Sequence, residues 1–231
     1  MIDLQKEVES RGFTVVHVKT DSIKVANPTP DISEFIVNFG KEHGYNFEIE
    51  AVYDRICLVN RAVYIARYSM EHPDEEERWK WTATGDQFKQ PYIFKTLFSK
   101  EPLEFRDMCE TKTVQSALYL DMNESLPEGE HDYHFIGKAG LFCPVKDGCG
   151  GGVLLRDAGE GKFASAEGAK GYRWMEAEMV KNLHLEDSIN KDYYNRLVDE
   201  AKDDISMYTD FERFVADEPF KALPWEGQPR F

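Results

Sequence analysis

Apolar and polar positions follow two periods along the first seventy residues, and the period decides the element. Ile2, Leu4 and Val8 space a short helix over residues 1–11, which Gly12 ends. Apolar, β-branched runs then flank the quartet Lys19-Thr20-Asp21-Ser22, predicting strands over 13–18 and 23–26 joined by a turn. That turn lacks the Asn-Gly or Asp-Gly pair that a tight two-residue hairpin prefers. Next, Ile32, Phe35, Ile36 and Phe39 recur at i, i+3, i+4 and i+7, one inward helical stripe. Thr29 is placed to cap that helix, Pro30 fits its first turn, and Gly44 follows its end. "FEIEAVYD" (47–54) and "ICLVNRAVYIARY" (56–68) predict two more strands. Residues 1–70 therefore read as helix, hairpin, helix, strand, strand: an α+β layer with an antiparallel sheet and helices on one face.

The charged, proline-containing stretch "MEHPDEEERWK" (70–80) is the best internal boundary, dividing the chain into residues 1–85 and 86–231. Its Asp74–Glu77 run reads as a solvated turn. From residue 86 to about 120 the pattern is mainly helical. A Gly-rich stretch over 136–171 follows and predicts short strands and turns. Two helices, near 172–183 and 190–208, close the chain, the latter with Tyr194, Leu197, Val198, Ala201 and Ile205 inward. The expectation for this second part is a mainly helical region with a small β insertion.

With 42% hydrophobic and 13% aromatic residues, the 231-residue chain is long and apolar enough to fold around a sizeable core. Lacking any apolar run of about 20 residues, it gives no reason to expect a membrane partner. The charged N-terminus does not resemble a signal or transit peptide. Four scattered cysteines suit a reducing compartment, so a cytoplasmic setting is expected. The net charge of −15 argues against nucleic acid until its distribution is read. Residues 101–231 carry 15 basic and 27 acidic groups, so the first hundred residues are nearly neutral. Within them, residues 79–100 hold four lysines against one aspartate, interleaved with six aromatics. That is the character of a nucleic-acid surface. Lys80 and Lys89 are the candidates for duplex phosphate contacts, while Phe88, Tyr92 and Phe94 are left to packing.

Candidate chemistry is sparse. By spacing alone Asp21 reads as a turn residue, with a carboxylate lifted toward divalent metal as the alternative. His131, His134, Cys143 and Cys149 have the spacing H-x2-H-x8-C-x5-C, whose cysteine gap is wider than zinc sites use. They read as loop residues, and a zinc-stabilised interaction domain is the weaker alternative. "GCGGG" (148–152) lacks the Lys-Ser/Thr of a phosphate loop and reads as a turn before the strand "GVLLR". Cys57 reads as a buried small hydrophobe.

"TDSIKV" (20–25) between apolar strands resembles motif C of family B DNA polymerases, commonly Tyr-Gly-Asp-Thr-Asp-Ser. "LVNRAVYIARY" (58–68) is similar to the family's primer-gripping Lys-x-Tyr strand. "KWTATGDQFKQPYIFKTLF" (80–98) resembles its palm-to-thumb transition. "CETK" (109–112), "GYRWMEAEMV" (171–180) and the Gly-rich stretch resemble C-terminal regions of phage and prophage polymerases. The resemblance covers essentially the whole chain and implies the C-terminal part of a palm (1–85) followed by a thumb and C-terminal region (86–231). It implies that Asp21 ligates Mg²⁺ in a two-metal site, and that Thr20, Ser22, Lys24, Arg61, Tyr64, Lys80 and Lys89 lie against DNA.

Three departures qualify it. Lys19 stands where the family has an auxiliary aspartate. Ala62 stands at the lysine of Lys-x-Tyr, and Arg61, one residue earlier, would point to the opposite face of a strand. No second catalytic carboxylate motif, fingers helix or exonuclease carboxylate precedes the hairpin; "ALYLDMNE" (117–124) lies on the wrong side and reads as a helix end. The implied partners are therefore an N-terminal polymerase portion carrying exonuclease, fingers and the rest of the palm, primer–template DNA and dNTP. The implied setting is the bacterial host of a phage or prophage. The chain is expected to be inactive alone. The alternative expectation is a non-catalytic DNA-binding or partner-binding module derived from the same fold.

Overall fold

The computed structural model describes residues 1–127 and 129–218, which form two compact units. The first unit holds Met1–Thr84 together with the tail residues Ala216, Asp217 and Glu218; the second runs over Gly85–Val215. The architecture is α+β with antiparallel sheets.

In the first unit, α1 (Ile2–Ser10) leads into a hairpin of β1 (Val15–Val18) and β2 (Ile23–Val25). Thr20 and Asp21 form its tip, closed by Lys19 N–H donating to the Ser22 carbonyl at 2.9 Å. α2 (Pro30–Glu42) begins as its sequence dictates: the Thr29 hydroxyl accepts from the Ile32 N–H, Pro30 opens the first turn and Asp31 meets the positive helix end. Leu4 and Val8 of α1 and Ile32 of α2 are buried together, and Phe35, Ile36 and Phe39 of the expected stripe pack against them. Helices and hairpin thus share one apolar layer, since neither could shield its face alone.

Residues 47–52, whose pattern suggests the start of a strand, form no regular element. Their alternation is real, but Phe47 turns back onto Gly40, where a Cβ would lie 2.3 Å from its ring, and Ile49 stays 56% exposed. Pairing starts with β3 (Tyr53–Leu58), continues in β4 (Tyr64–Tyr68) and ends in β5 (Trp81–Thr84), in the order β3-β4-β5. The run 56–68 is therefore a hairpin rather than one strand. Asn60 makes the turn, its side-chain oxygen accepting from the N–H groups of Ala62 (2.9 Å) and Val63 (3.0 Å). Asp74, Glu75 and Glu76 are exposed, as a solvated turn requires.

Two buried arginines tie the tail to this sheet. Arg55 donates to the carbonyls of Ala216 (2.8 Å) and Glu218 (3.0 Å) and to the Asp54 carboxylate (2.9 Å). Arg67 shares that carboxylate at 2.7 Å and stacks its guanidinium 5.0 Å from the Trp79 ring centre. Each buried charge is compensated, which is the condition for keeping it out of water.

The second unit corrects the expectation of a mainly helical region. Short helices α3 (Asp86–Lys89) and α4 (Pro91–Phe94) and a π-turn over Lys95–Ser99 give way to β6 (Glu110–Asp121), a strand of 12 residues. Its Thr-Lys-Thr-Val and Leu-Tyr-Leu stretches have the period of two that marks a strand, and "ALYLD" is its end, not a helix end. With β7 (Tyr133–Val145), β8 (Val153–Gly159), β9 (Lys162–Ser165) and β10 (Arg173–Glu176) it builds, among the described residues, a five-stranded antiparallel sheet ordered β10-β7-β6-β8-β9. The helix expected over 172–183 is thus half strand; α5 (Ala177–Asn182) follows β10 directly. α6 (Lys191–Ser206) buries Tyr194, Ala201 and Ile205 as its spacing predicts, and α7 (Phe211–Val215) follows. Phe88 and Tyr92 are buried, and Tyr92 stacks on Tyr194 at 4.9 Å.

The Gly-rich stretch has a packing reason. Gly152 exchanges backbone hydrogen bonds with Trp174, both at 2.8 Å, and a Cβ at Gly152 would sit 2.4 Å from the Asp121 carbonyl oxygen. Two backbones approach where no side chain fits. Gly152→Ala is expected to destabilise the second unit by about 2 kcal/mol, read as a lowered urea midpoint. Arg55→Met, which leaves the Ala216 and Glu218 carbonyls without their donor, is expected to cost the first unit about 3 kcal/mol in the same measurement.

Candidate functional site

The β1–β2 hairpin is short and irregular, and that irregularity shapes the site. Val15 pairs with Val25 but His17 pairs with Lys24, so β1 carries a bulge. The bulge turns His17 inward, where it is buried, while Asp21 and Thr20 remain exposed at the tip. Neither tip residue has a positive φ, so the primed turns of tight hairpins are not used. Lys19 is exposed beside the tip, and Ser22 and Lys24 are half-buried.

A second hairpin meets the first. The His17 ring Nε2 lies 2.9 Å from the Arg61 carbonyl oxygen in the β3–β4 turn. A carbonyl only accepts, so Nε2 carries the proton and Nδ1 is the bare nitrogen of a neutral ring. That Nδ1 is buried with no hydrogen-bond partner among the described residues. Lys24 Nζ sits 5.1 Å from the centre of the Tyr64 ring, and the Tyr53 ring meets Tyr64 edge-on at 6.4 Å. Tyr64 is 9% exposed; its N–H donates to the Thr84 hydroxyl (3.1 Å), which donates to the Ala62 carbonyl (2.9 Å).

The electrostatics follow from this crowding. Burial lowers the His17 pKa, its hydrogen bond to Arg61 opposes the shift, and the charges of Lys24 and Lys19 lower it further. Burial, then a hydrogen bond with Tyr64, pushes the Tyr53 phenol far above its ordinary value, so it stays neutral. The first hairpin tip thus carries the exposed carboxylate of Asp21 next to the exposed Lys19, while Lys24 lies over Tyr64 and Arg61 is exposed in the neighbouring turn.

Lys19, Thr20, Asp21, Ser22, Lys24, Arg61 and Tyr64 thus belong to two adjoining hairpins of one unit. Arg61 is exposed in the Asn60 turn, ahead of β4. Turn residues do not alternate, so strand geometry does not aim Arg61 away from Tyr64, contrary to the expectation from the pleat. Lys80 lies at the other end of the sheet, beside Tyr68, and pairs with Glu77 at 3.1 Å. Lys89 is exposed on α3 of the second unit. Sequence reasoning misses His17 and Asn60. A polar residue inside an apolar strand and an Asx turn before Tyr64 are the available signals.

Asp21 supplies the hard oxygen that Mg²⁺ prefers, and it is exposed to receive one. Among the described residues no group of three or more His, Cys, Asp or Glu is placed to hold a metal ion. The zinc alternative finds no cluster. His131 bonds Asp121 at 2.7 Å, His134 faces Glu176 at 3.6 Å, Cys143 is buried and Cys149 is exposed. Among the described residues no helix is long and apolar enough to cross a membrane. No family model matches the chain, and no curated protein matches it.

A histidine that is harder to protonate folded than unfolded stabilises the fold above its ordinary pKa of 6.5 and ceases to do so as pH falls below it. The first unit is therefore expected to lose stability as pH falls below 6.5, beyond any loss in a His17→Gln variant. Gln keeps a donor for the Arg61 carbonyl but does not titrate. Urea midpoints at pH 7.5 and 5.5 check this; equal pH dependence in both proteins rejects it.

Proposed function

We propose that the chain is the C-terminal palm-and-thumb polypeptide of a family B DNA-directed DNA polymerase of phage type, working with an N-terminal portion that supplies the exonuclease, fingers and rest of the palm. The observation that carries this reading is the exposed carboxylate of Asp21 on a two-stranded tip, packed beside a second hairpin that bears Arg61 and Tyr64. Nucleotidyl transfer needs positioning and charge stabilisation more than covalent chemistry, and such a tip is suited to both.

Asp21 would hold Mg²⁺, which in a two-metal site activates the attacking hydroxyl and neutralises phosphate charge. One protein oxygen is not a site, so the remaining ligands come from a carboxylate of the N-terminal portion, from dNTP phosphates and from water. Lys19, Lys24 and Arg61 would meet the phosphates of the primer end, with Thr20 and Ser22 flanking them. Tyr64, buried under Lys24, holds that lysine in place rather than offering its ring to a base. Lys80 and Lys89 would add phosphate contacts along the duplex.

A second reading has its own observation. Lys19 adjoins the tip in sequence and, with Lys24, acts on the buried His17 ring behind it, a local excess of cations that suits phosphate better than metal. Under it the chain is a non-catalytic DNA-binding or partner-binding module of the same fold.

The purified chain is expected not to extend a primer. Mixed with the N-terminal portion it is expected to restore Mg²⁺-dependent extension, and Asp21→Ala to lower the rate on the order of a thousand-fold while leaving duplex binding intact. Restored extension that is indifferent to Asp21→Ala removes the metal role. Binding without any restored extension favours the second reading.

A further inference from the structure

Cys109 and Cys143 both lie in the second unit. Cys109 ends the 3₁₀ turn Phe105–Met108 and directly precedes β6. The register of β6 on β7 pairs Glu110 with Phe142, so Cys109 falls opposite Cys143. Their sulfurs are 3.4 Å apart, and both are free thiols. A disulfide needs about 2.05 Å, so the two sulfurs must close by roughly 1.4 Å. The residues are already cross-strand neighbours, which spares the backbone a large movement.

The two thiols are unequal. Cys143 is fully buried, whereas Cys109 keeps 8% of its surface open. With the Cys109 thiol turned to the Phe105 carbonyl at 3.4 Å, the Cys143 thiol can donate to Cys109; that bond and the nearby Arg106 lower the Cys109 pKa against burial and Asp107. The same hydrogen bond keeps Cys143 protonated. One sulfur is thus poised to attack and its neighbour to resolve.

We propose that Cys109 and Cys143 form a reversible intrachain disulfide when the protein meets hydrogen peroxide or an organic hydroperoxide, with Cys109 as the sulfur that is oxidised first. The Cys109 thiolate attacks the peroxide: an S–O bond forms, the O–O bond breaks, and the departing hydroxide or alkoxide takes a proton from solvent. Cys143 gives its proton to solvent and attacks the Cys109 sulfur; the S–S bond forms and the S–O bond breaks, releasing the second oxygen as water. Two thiols are oxidised by two electrons and one peroxide is reduced. An external thiol reverses the step. The bond would close a 34-residue separation and fasten the 3₁₀ turn to the sheet.

The test uses the full chain carrying Cys149→Ser, which removes the exposed thiol. After brief treatment with hydrogen peroxide, the intact mass is expected to fall by about 2 Da, the two hydrogens lost on disulfide formation. Non-reducing peptide mapping is expected to join Cys109 to Cys143, and dithiothreitol to undo both changes. The oxidised protein is expected to melt on the order of 5 °C higher. A further Cys109→Ser substitution is expected to abolish the linked peptide. Cys109 and Cys143 remaining free at peroxide concentrations that fully oxidise Cys149 in the unsubstituted chain would overturn the proposal. So would a Cys109 sulfinic acid beside a free Cys143. Both results are read on protein that retains Cys109 and Cys143, so poor folding of the Cys109→Ser variant would change neither.

Discussion

In the first unit, a hydrogen bond between residues 44 positions apart joins two hairpins, with Lys24 resting over Tyr64 beside it. The His17 ring, turned inward by a bulge in β1, donates to the Arg61 carbonyl in the β3–β4 turn. A hairpin of four and three residues is marginal by itself. Packing against α1 and α2 gives it a floor, and the bond to Arg61 fixes where its tip points. The positions of Asp21, Lys24, Arg61 and Tyr64 relative to one another all follow from that junction. It holds best while the imidazole is neutral, because a second ring proton would sit in a buried place with no acceptor among the described residues.

The same logic of compensated burial recurs elsewhere. Arg55 and Arg67 are charged and almost wholly enclosed, and the Asp54 carboxylate with the carbonyls of Ala216 and Glu218 makes this tolerable. In the second unit the constraint is steric rather than electrostatic. Gly152 lets the chain after the Gly-rich loop pass against Asp121 and pair with Trp174, which anchors the edge of the sheet to its core. The segment that reads as a turn is one, but its last two glycines, Gly151 and Gly152, are held tightly against neighbouring backbone.

How much of this is legible in the sequence depends on the range of the interaction. The hairpin around Asp21, the capped helix from Pro30 and the inward face of α6 are all readable, since each is set by residues within two turns or one pleat of each other. Short apolar runs leave the period ambiguous, and there the reading fails. Residues 47–52 alternate like a strand but form no regular element, and 110–121 pass for helix although Thr111, Thr113 and Leu118 suit a pleat. Of the candidate site, Asp21 and Tyr64 can be singled out, but the orientation of Arg61 cannot. That depends on Asn60 ending a strand at a place the apolar pattern does not mark.

The sequence alone settled an α+β chain with an antiparallel sheet, a polar tip bearing one aspartate and a near-neutral first hundred residues before an acidic remainder. These are local or summed properties, fixed by steric preference, side-chain period and charge. The tertiary structure decided what stands next to what: His17 against Arg61, Arg55 against a tail 161 and 163 residues away, Gly152 against Asp121, and Cys109 against Cys143. Each pairing exists because burial forces a polar group, a charge or a bare backbone to find its match. Which match it finds depends on how the sheets close, and no short window of residues contains that.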